Sequence, residues 1–86
     1  MRIKKTHMHV LVDMRDLRER TAYAIARDLR VPAYRVRRAL WSLGRRGLME
    51  PSGEVRYGEI ETVVDRTWRI TSAGLVASGS PAPSDA

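Results

Sequence analysis

Between Thr21 and Leu43 the apolar residues recur every three or four positions in two runs, parted by Arg30-Val31-Pro32. No other feature limits the possible folds as much. Ala22, Ile25, Ala26 and Leu29 form the buried stripe of one helix, and Val36, Ala39, Leu40 and Leu43 that of the next. Proline keeps Val31 out of helical geometry but suits a helix's first turn. The earlier helix therefore runs from a Thr21 cap to about Leu29, and the later one from Pro32 or Ala33 to about Arg46. The small Ala22 and Ala26 leave room for a second helix to cross closely.

Upstream, Val10, Leu11, Met14 and Leu17 keep the same spacing, which predicts a first helix from Thr6 or His7 to Glu19 with Thr6 as its cap. Gly44 costs its helix about 1 kcal/mol relative to alanine, which implies either a close neighbour or an early end. Gly47 is placed for a left-handed cap behind two arginines. Beyond it the pattern changes. Val55, Tyr57, Val63, Val64, Thr67, Trp68 and Ile70 favour strands, with a hairpin turn at Gly53 or, by preference, near Gly58. Thr71-Ser72-Ala73-Gly74 ends the last strand and opens a short helical turn. The expected organisation is one α+β domain over residues 1–76, with three helices followed by a two-stranded antiparallel hairpin. Residues 77–86, poor in anything a core could use, are expected to form a disordered tail.

Charge gives the first functional lead. Fourteen of the 16 basic residues are arginine, and the formal net charge is +6. Arginine grips phosphates and guanine edges in a planar, two-pronged way that lysine matches poorly. Arginine-rich coding would explain the composition but not the clustering. From Arg27 to Arg46 seven arginines face the single acid Asp28, whereas from Glu50 to Glu61 four glutamates face only Arg56. A basic helix beside a neutral core is the electrostatic footprint of a DNA reader.

The order of elements resembles the winged helix-turn-helix superfamily, and the residues that carry the likeness are specific. Thr21-Ala22-Tyr23-Ala24-Ile25-Ala26-Arg27-Asp28-Leu29 looks like its positioning helix, Val31-Pro32 like its turn, and Val36-Arg37-Arg38-Ala39-Leu40-Trp41-Ser42-Leu43 like its recognition helix. Gly47-Leu48-Met49-Glu50 and Trp68-Arg69-Ile70-Thr71-Ser72-Ala73-Gly74 resemble the entry to and close of the wing in MarR- and PadR-like small transcriptional regulators. Two departures stand out. Arg30 occupies a turn position where glycine is usual, which points to a more relaxed turn. The wing is acidic where such wings are usually basic, and it offers DNA only Arg56, with Arg66 and Arg69 nearer its base, so either Arg56 meets the DNA backbone or the wing serves another purpose.

The resemblance implies a sequence-specific regulator of transcription that reads double-stranded DNA with the helix around 33–46 in the major groove. Arg35 and Arg38 are the leading candidates for base or phosphate contact, with the Tyr34 hydroxyl on a phosphate. Arg37, Arg45 and Arg46 would set the backbone register, and Thr21 at a helix start would meet another phosphate. The resemblance and the small size also imply a homodimer on a pseudo-palindromic site, joined by the first helix or the end of the wing. Tyr34 serves equally as a partner surface. Trp41 is assigned to packing against the wing or a second subunit, and Trp68 to the core.

Other chemistries find little footing. The chain has no cysteine, which removes disulfides, thiolate metal sites and cysteine nucleophiles together. His7 and His9 lack a third ligand and point apart on a helix, so they are read as exposed N-terminal histidines. No Ser/His/Asp set, carboxylate pair or phosphate-cradling glycine loop is in evidence, and Asp13 and Asp16 read as surface partners of arginines. The expectation is a protein that is not an enzyme and has no cofactor, metal or inferred small-molecule ligand. With neither a signal peptide nor a membrane span, it is expected in the cytoplasm. The alternatives are a winged-helix protein-interaction or assembly module, for which the acidic wing speaks, and a phage or plasmid accessory DNA-binding factor.

Overall fold

A computed structural model describes residues 3–57 and 63–79. Its elements run α1 (Lys5–Asp13), β1 (Arg20–Thr21), α2 (Ala22–Leu29), α3 (Ala33–Arg45), β2 (Met49–Tyr57), β3 (Val63–Ile70) and α4 (Ser72–Ala77). The three strands form one antiparallel sheet in the order β1-β3-β2. The α+β winged-helix architecture is as expected, with two additions: strand β1, and helix α4 where a single turn was expected.

The apolar stripes meet in one core. Val10, Leu11 and Met14 come from the α1 region, Ala22, Ile25 and Ala26 from α2, and Val36, Ala39, Leu40 and Leu43 from α3. Leu48, Met49, Trp68, Ile70 and Leu75 close it from the wing and α4. Thr21 caps α2 as expected, its hydroxyl oxygen accepting from the Ala24 amide at 3.1 Å. Thr71 does the same for α4, accepting from the Gly74 amide at 3.0 Å.

The first helix differs from its expected span at both ends. It starts at Lys5 with no side-chain cap, and Thr6 lies inside it. At the other end Met14 leaves helical geometry and Leu17 turns to φ +65°, 61% exposed and outside the core. The cause is Arg20, whose guanidinium donates at 2.6 Å to both the Asp13 carbonyl and the Asp16 carboxylate, folding the chain back to start β1. Asp13 and Asp16 do gather on an arginine as expected, but through this turn and not along a helix face.

Both glycine-type turns form, one of them without glycine. Gly47 takes φ +73°, and the Leu48 amide donates to the Leu43 carbonyl at 3.0 Å. Arg30 takes φ 57°, ψ 46° at the end of α2, and the Val31 amide donates to the Ala26 carbonyl at 3.1 Å. The turn is therefore as tight as a glycine turn, not relaxed: α2 must stop and reverse before Pro32, and only a left-handed residue does this in so few positions. Gly44 faces the expected close neighbour, because a Cβ there would stand 3.4 Å from the Trp68 ring.

In the wing, Pro51 pairs with Trp68 and Gly53 with Thr67, leaving Ser52 as a bulge whose hydroxyl lies 3.0 Å from that of Thr67. Proline has no amide to give the ladder and is tolerated on this edge strand beside an irregularity. The preferred turn near Gly58 lies outside the described residues. At the C-terminus the order continues past residue 76. Ala77 packs against the core, and Ser78 is buried, its backbone carbonyl and hydroxyl both accepting from the Arg15 guanidinium. The rest of the expected tail, residues 80–86, lies outside the described residues.

Candidate nucleic-acid interface

Helix α3 owes its outer face to a strict division of its turns. With Val36, Ala39, Leu40 and Leu43 fully inside, Tyr34, Arg38, Trp41 and Arg45 line the opposite side, and Arg35 and Arg37 flank them. Tyr34 is 59% exposed and Trp41 54%; Arg35, Arg37, Arg38, Arg45 and Arg46 are all exposed. Among the described residues these five arginines form no ion pair. Four of the described acids instead pair with arginines elsewhere: Arg18 and Arg20 with Asp16, Arg20 also with Asp13 and Asp28, and Arg69 with Glu50. The α3 cations are thus left to solvent or to an external anion.

Among the described residues a groove runs along each side of the α3 stripe, with Trp41 lining both. On the wing side, Trp41 meets Trp68 edge-to-face at 5.7 Å, and the Arg66 guanidinium sits 5.2 Å from the Trp41 ring centroid. Arg37, Glu54 and Asp65 complete that groove. The assignment of Trp41 to wing packing and of Trp68 to the core matches this geometry. On the other side Lys4, Lys5, Thr6 and His7 of the α1 start face Arg35, Arg38 and Arg45 across a wider groove of about 660 Å³. Lys4 and Lys5 were missed by sequence reasoning, and Arg66 was named only as a cation near the base of the wing, not as a neighbour of Trp41. Only the packing of α1 and of the wing against α3 brings them there.

The remaining site residues fall elsewhere. Thr21 is 5% exposed, with its hydroxyl accepting from Ala24 in the α2 cap and its backbone paired to Thr67, which leaves little of its surface for the phosphate contact expected of it. Arg56 pairs with Val64 across the hairpin, but its side chain lies outside the described residues. His9 is exposed as expected, whereas His7 is half-buried, its Nδ1 enclosed without a partner. Burial, with Arg46 and Lys4 nearby, holds the His7 imidazole below its ordinary pKa. Burial and the neighbouring Asp28 push the Asp13 carboxyl up, partly offset by Arg20. Asp16 is held down by the Arg18 amide and the Arg20 side chain, against a desolvation effect that raises it.

Among the described residues no cluster of three His, Cys, Asp or Glu side chains could hold a metal ion. No helix among them is long and apolar enough to cross a membrane.

No protein-family model matches the chain. No curated protein sequence matches it either. Solved structures do. A zinc-responsive MarR family member, ZitR of Lactococcus lactis, superposes with a TM-score of 0.72 at 19% identity over 93% of this chain and 51% of that one. The adhesin competence repressor AdcR of Streptococcus pyogenes gives 0.72 at 15% identity over 91% and 54%. ZitR in complex with DNA gives 0.69 at 20% identity over 93% and 51%. The chain therefore spans about half the length of these structures. At such identities the likeness is one of architecture. The chain is a winged-helix domain with the fold seen in these MarR-type regulators.

Proposed function

We propose that this chain is a sequence-specific double-stranded DNA-binding regulator of transcription that reads the major groove with α3. The observation that carries the reading is the exposed α3 face, where five arginines gather with no acidic partner among the described residues. The fold supports it, since one structural neighbour was solved in complex with DNA. Arg35 and Arg38, in the first half of the helix, reach base edges or phosphates, and the Tyr34 hydroxyl meets a phosphate. Arg37, Arg45 and Arg46 set the register on the backbone, and Arg56 is the wing's own contact with it.

No step of this reading needs a cofactor, a metal or catalysis, and it places the protein with the DNA in the cytoplasm. A homodimer on a two-fold site belongs to the same proposal. Val12 of α1 and Val76 of α4 are exposed apolar side chains outside the α3 face, which suits the first helix as the joining surface.

A salt titration of binding to a mixed-sequence duplex tests the proposal, with wild type beside Arg35→Ala and Arg38→Ala. Expected are a steep fall of affinity with salt, and for each variant weaker binding with a slope smaller by about 0.9 per lost phosphate contact. Absence of binding by the wild type at low salt would refute it and leave the protein-interaction module as the better account.

A further inference from the structure

The two grooves beside α3 differ in charge, and the difference says on which side a polyanion can lie. The wing-side groove is balanced, with Arg37 and Arg66 against Glu54 and Asp65. Its aromatic floor is already occupied by the Arg66 guanidinium over Trp41 and Trp68. The α1-side groove holds Lys4, Lys5, Arg35, Arg38 and Arg45 with no acid at all. All five are exposed and none forms an ion pair among the described residues. Like charges gathered around one concavity repel each other, and the fold tolerates that cost without a counter-charge of its own. A row of phosphates would relieve it.

We infer that the groove between the start of α1 and the outer stripe of α3 is a backbone-phosphate site for duplex DNA. Lys4 and Lys5 grip one strand there, on the side of α3 opposite the acids of the wing-side groove. The inference rests on the DNA-binding reading and adds to it a contact surface outside the recognition helix. The two lysines act as point charges on flexible stems, which suits phosphate neutralisation and not base reading. Trp41, on the lip of both grooves, forms the ridge that separates the strand from the acids of the wing.

The test is the salt dependence of binding to one mixed-sequence duplex by the full chain carrying Lys4→Ala and Lys5→Ala together. Arg18→Ala serves as the control, since it takes one charge from the exposed loop after α1 where Arg18 is paired with Asp16. Both lysines are exposed, so the double variant should fold, and circular dichroism checks that it does. If each lysine neutralises one phosphate, the slope of log affinity on log salt falls by about 1.8. Raising salt from about 50 to about 200 mM would then weaken the double variant about 12-fold less than wild type. A double variant whose slope equals that of Arg18→Ala overturns the groove assignment while leaving α3 as the reader. Wild type that binds no duplex overturns both.

Discussion

The same substitution, glycine to alanine, should act in opposite directions at two helical positions of this domain. At Gly74 in α4 an added Cβ would lie 2.1 Å from the Leu48 carbonyl oxygen and 2.7 Å from Ile70 Cγ1. Contacts of a Cβ closer than 3.0 Å essentially do not occur, so α4 would have to retreat by about 0.9 Å. It is not free to do so. The Leu48 carbonyl also accepts from the Thr71 amide at 3.2 Å, and the Thr71 hydroxyl donates to the Gly47 carbonyl at 2.6 Å. Overpacking of this kind costs about 1–3 kcal/mol, and the close approach here is to backbone, which puts Gly74→Ala at the upper end. Alanine's better helix propensity returns up to about 1 kcal/mol, leaving a net loss of about 2 kcal/mol. For a domain of this size that lowers Tm by about 8–16 °C. At Gly44 the nearest atom to the added Cβ is Trp68 Cζ3 at 3.4 Å, an ordinary contact, so the propensity gain survives. Near the end of α3 it is worth about 0.5 kcal/mol, raising Tm by about 2–4 °C. Thermal melts followed by circular dichroism decide the matter. A Gly74→Ala melt at or above wild type would refute the packing argument, as would a Gly44→Ala melt that fell as far as that of Gly74→Ala.

Two further outcomes follow from groups already placed. His7 titrates below its ordinary value in the fold, so its neutral form favours the native state. The stability this gives is full above the unfolded pKa of about 6.5 and is lost as pH falls through it towards the folded value. Wild type should therefore lose Tm relative to His7→Gln between about pH 7.5 and 5.5, and parallel profiles would contradict the environment assigned to His7. Thr21→Ala removes a buried helix cap and should cost about 1 kcal/mol in a denaturant melt. It should leave the salt slope of DNA binding unchanged, and a reduced slope would return Thr21 to the interface.

The middle of the chain was the most legible. The α2 and α3 stripes, the break at Pro32 and the exit at Gly47 are local signals, and each stands within a residue or two of its expected place. Trp68 in the core and a neighbour against Gly44 were also readable, because a large aromatic and a helical glycine each ask for a partner. What failed depends on distant partners. Leu17 continues the α1 spacing perfectly, and nothing nearby reveals that Arg20 will pull the chain out of the helix at Asp13. Strand β1 is two residues long and exists only because β3 lies beside it, so it carries no periodicity to read. The candidate site divides in the same way. The α3 face is written in one helix, whereas Lys4 and Lys5 look like an ordinary basic terminus until α1 is packed against α3.

The wing junction also supplies an optical handle. The chain has two tryptophans, and both stand at the seam of α3 and β3, with ring centroids 5.7 Å apart. Emission excited at the red edge of the protein spectrum therefore comes from a single place, next to the Arg66 guanidinium and one helix turn from Arg37 and Arg38. A quench or spectral shift on adding duplex, or early in a denaturant series, would report the parting or tightening of helix and wing with no label attached. Unfolding that begins elsewhere, in the α1 loop or at α4, would be dark in that channel and visible only in the amide region.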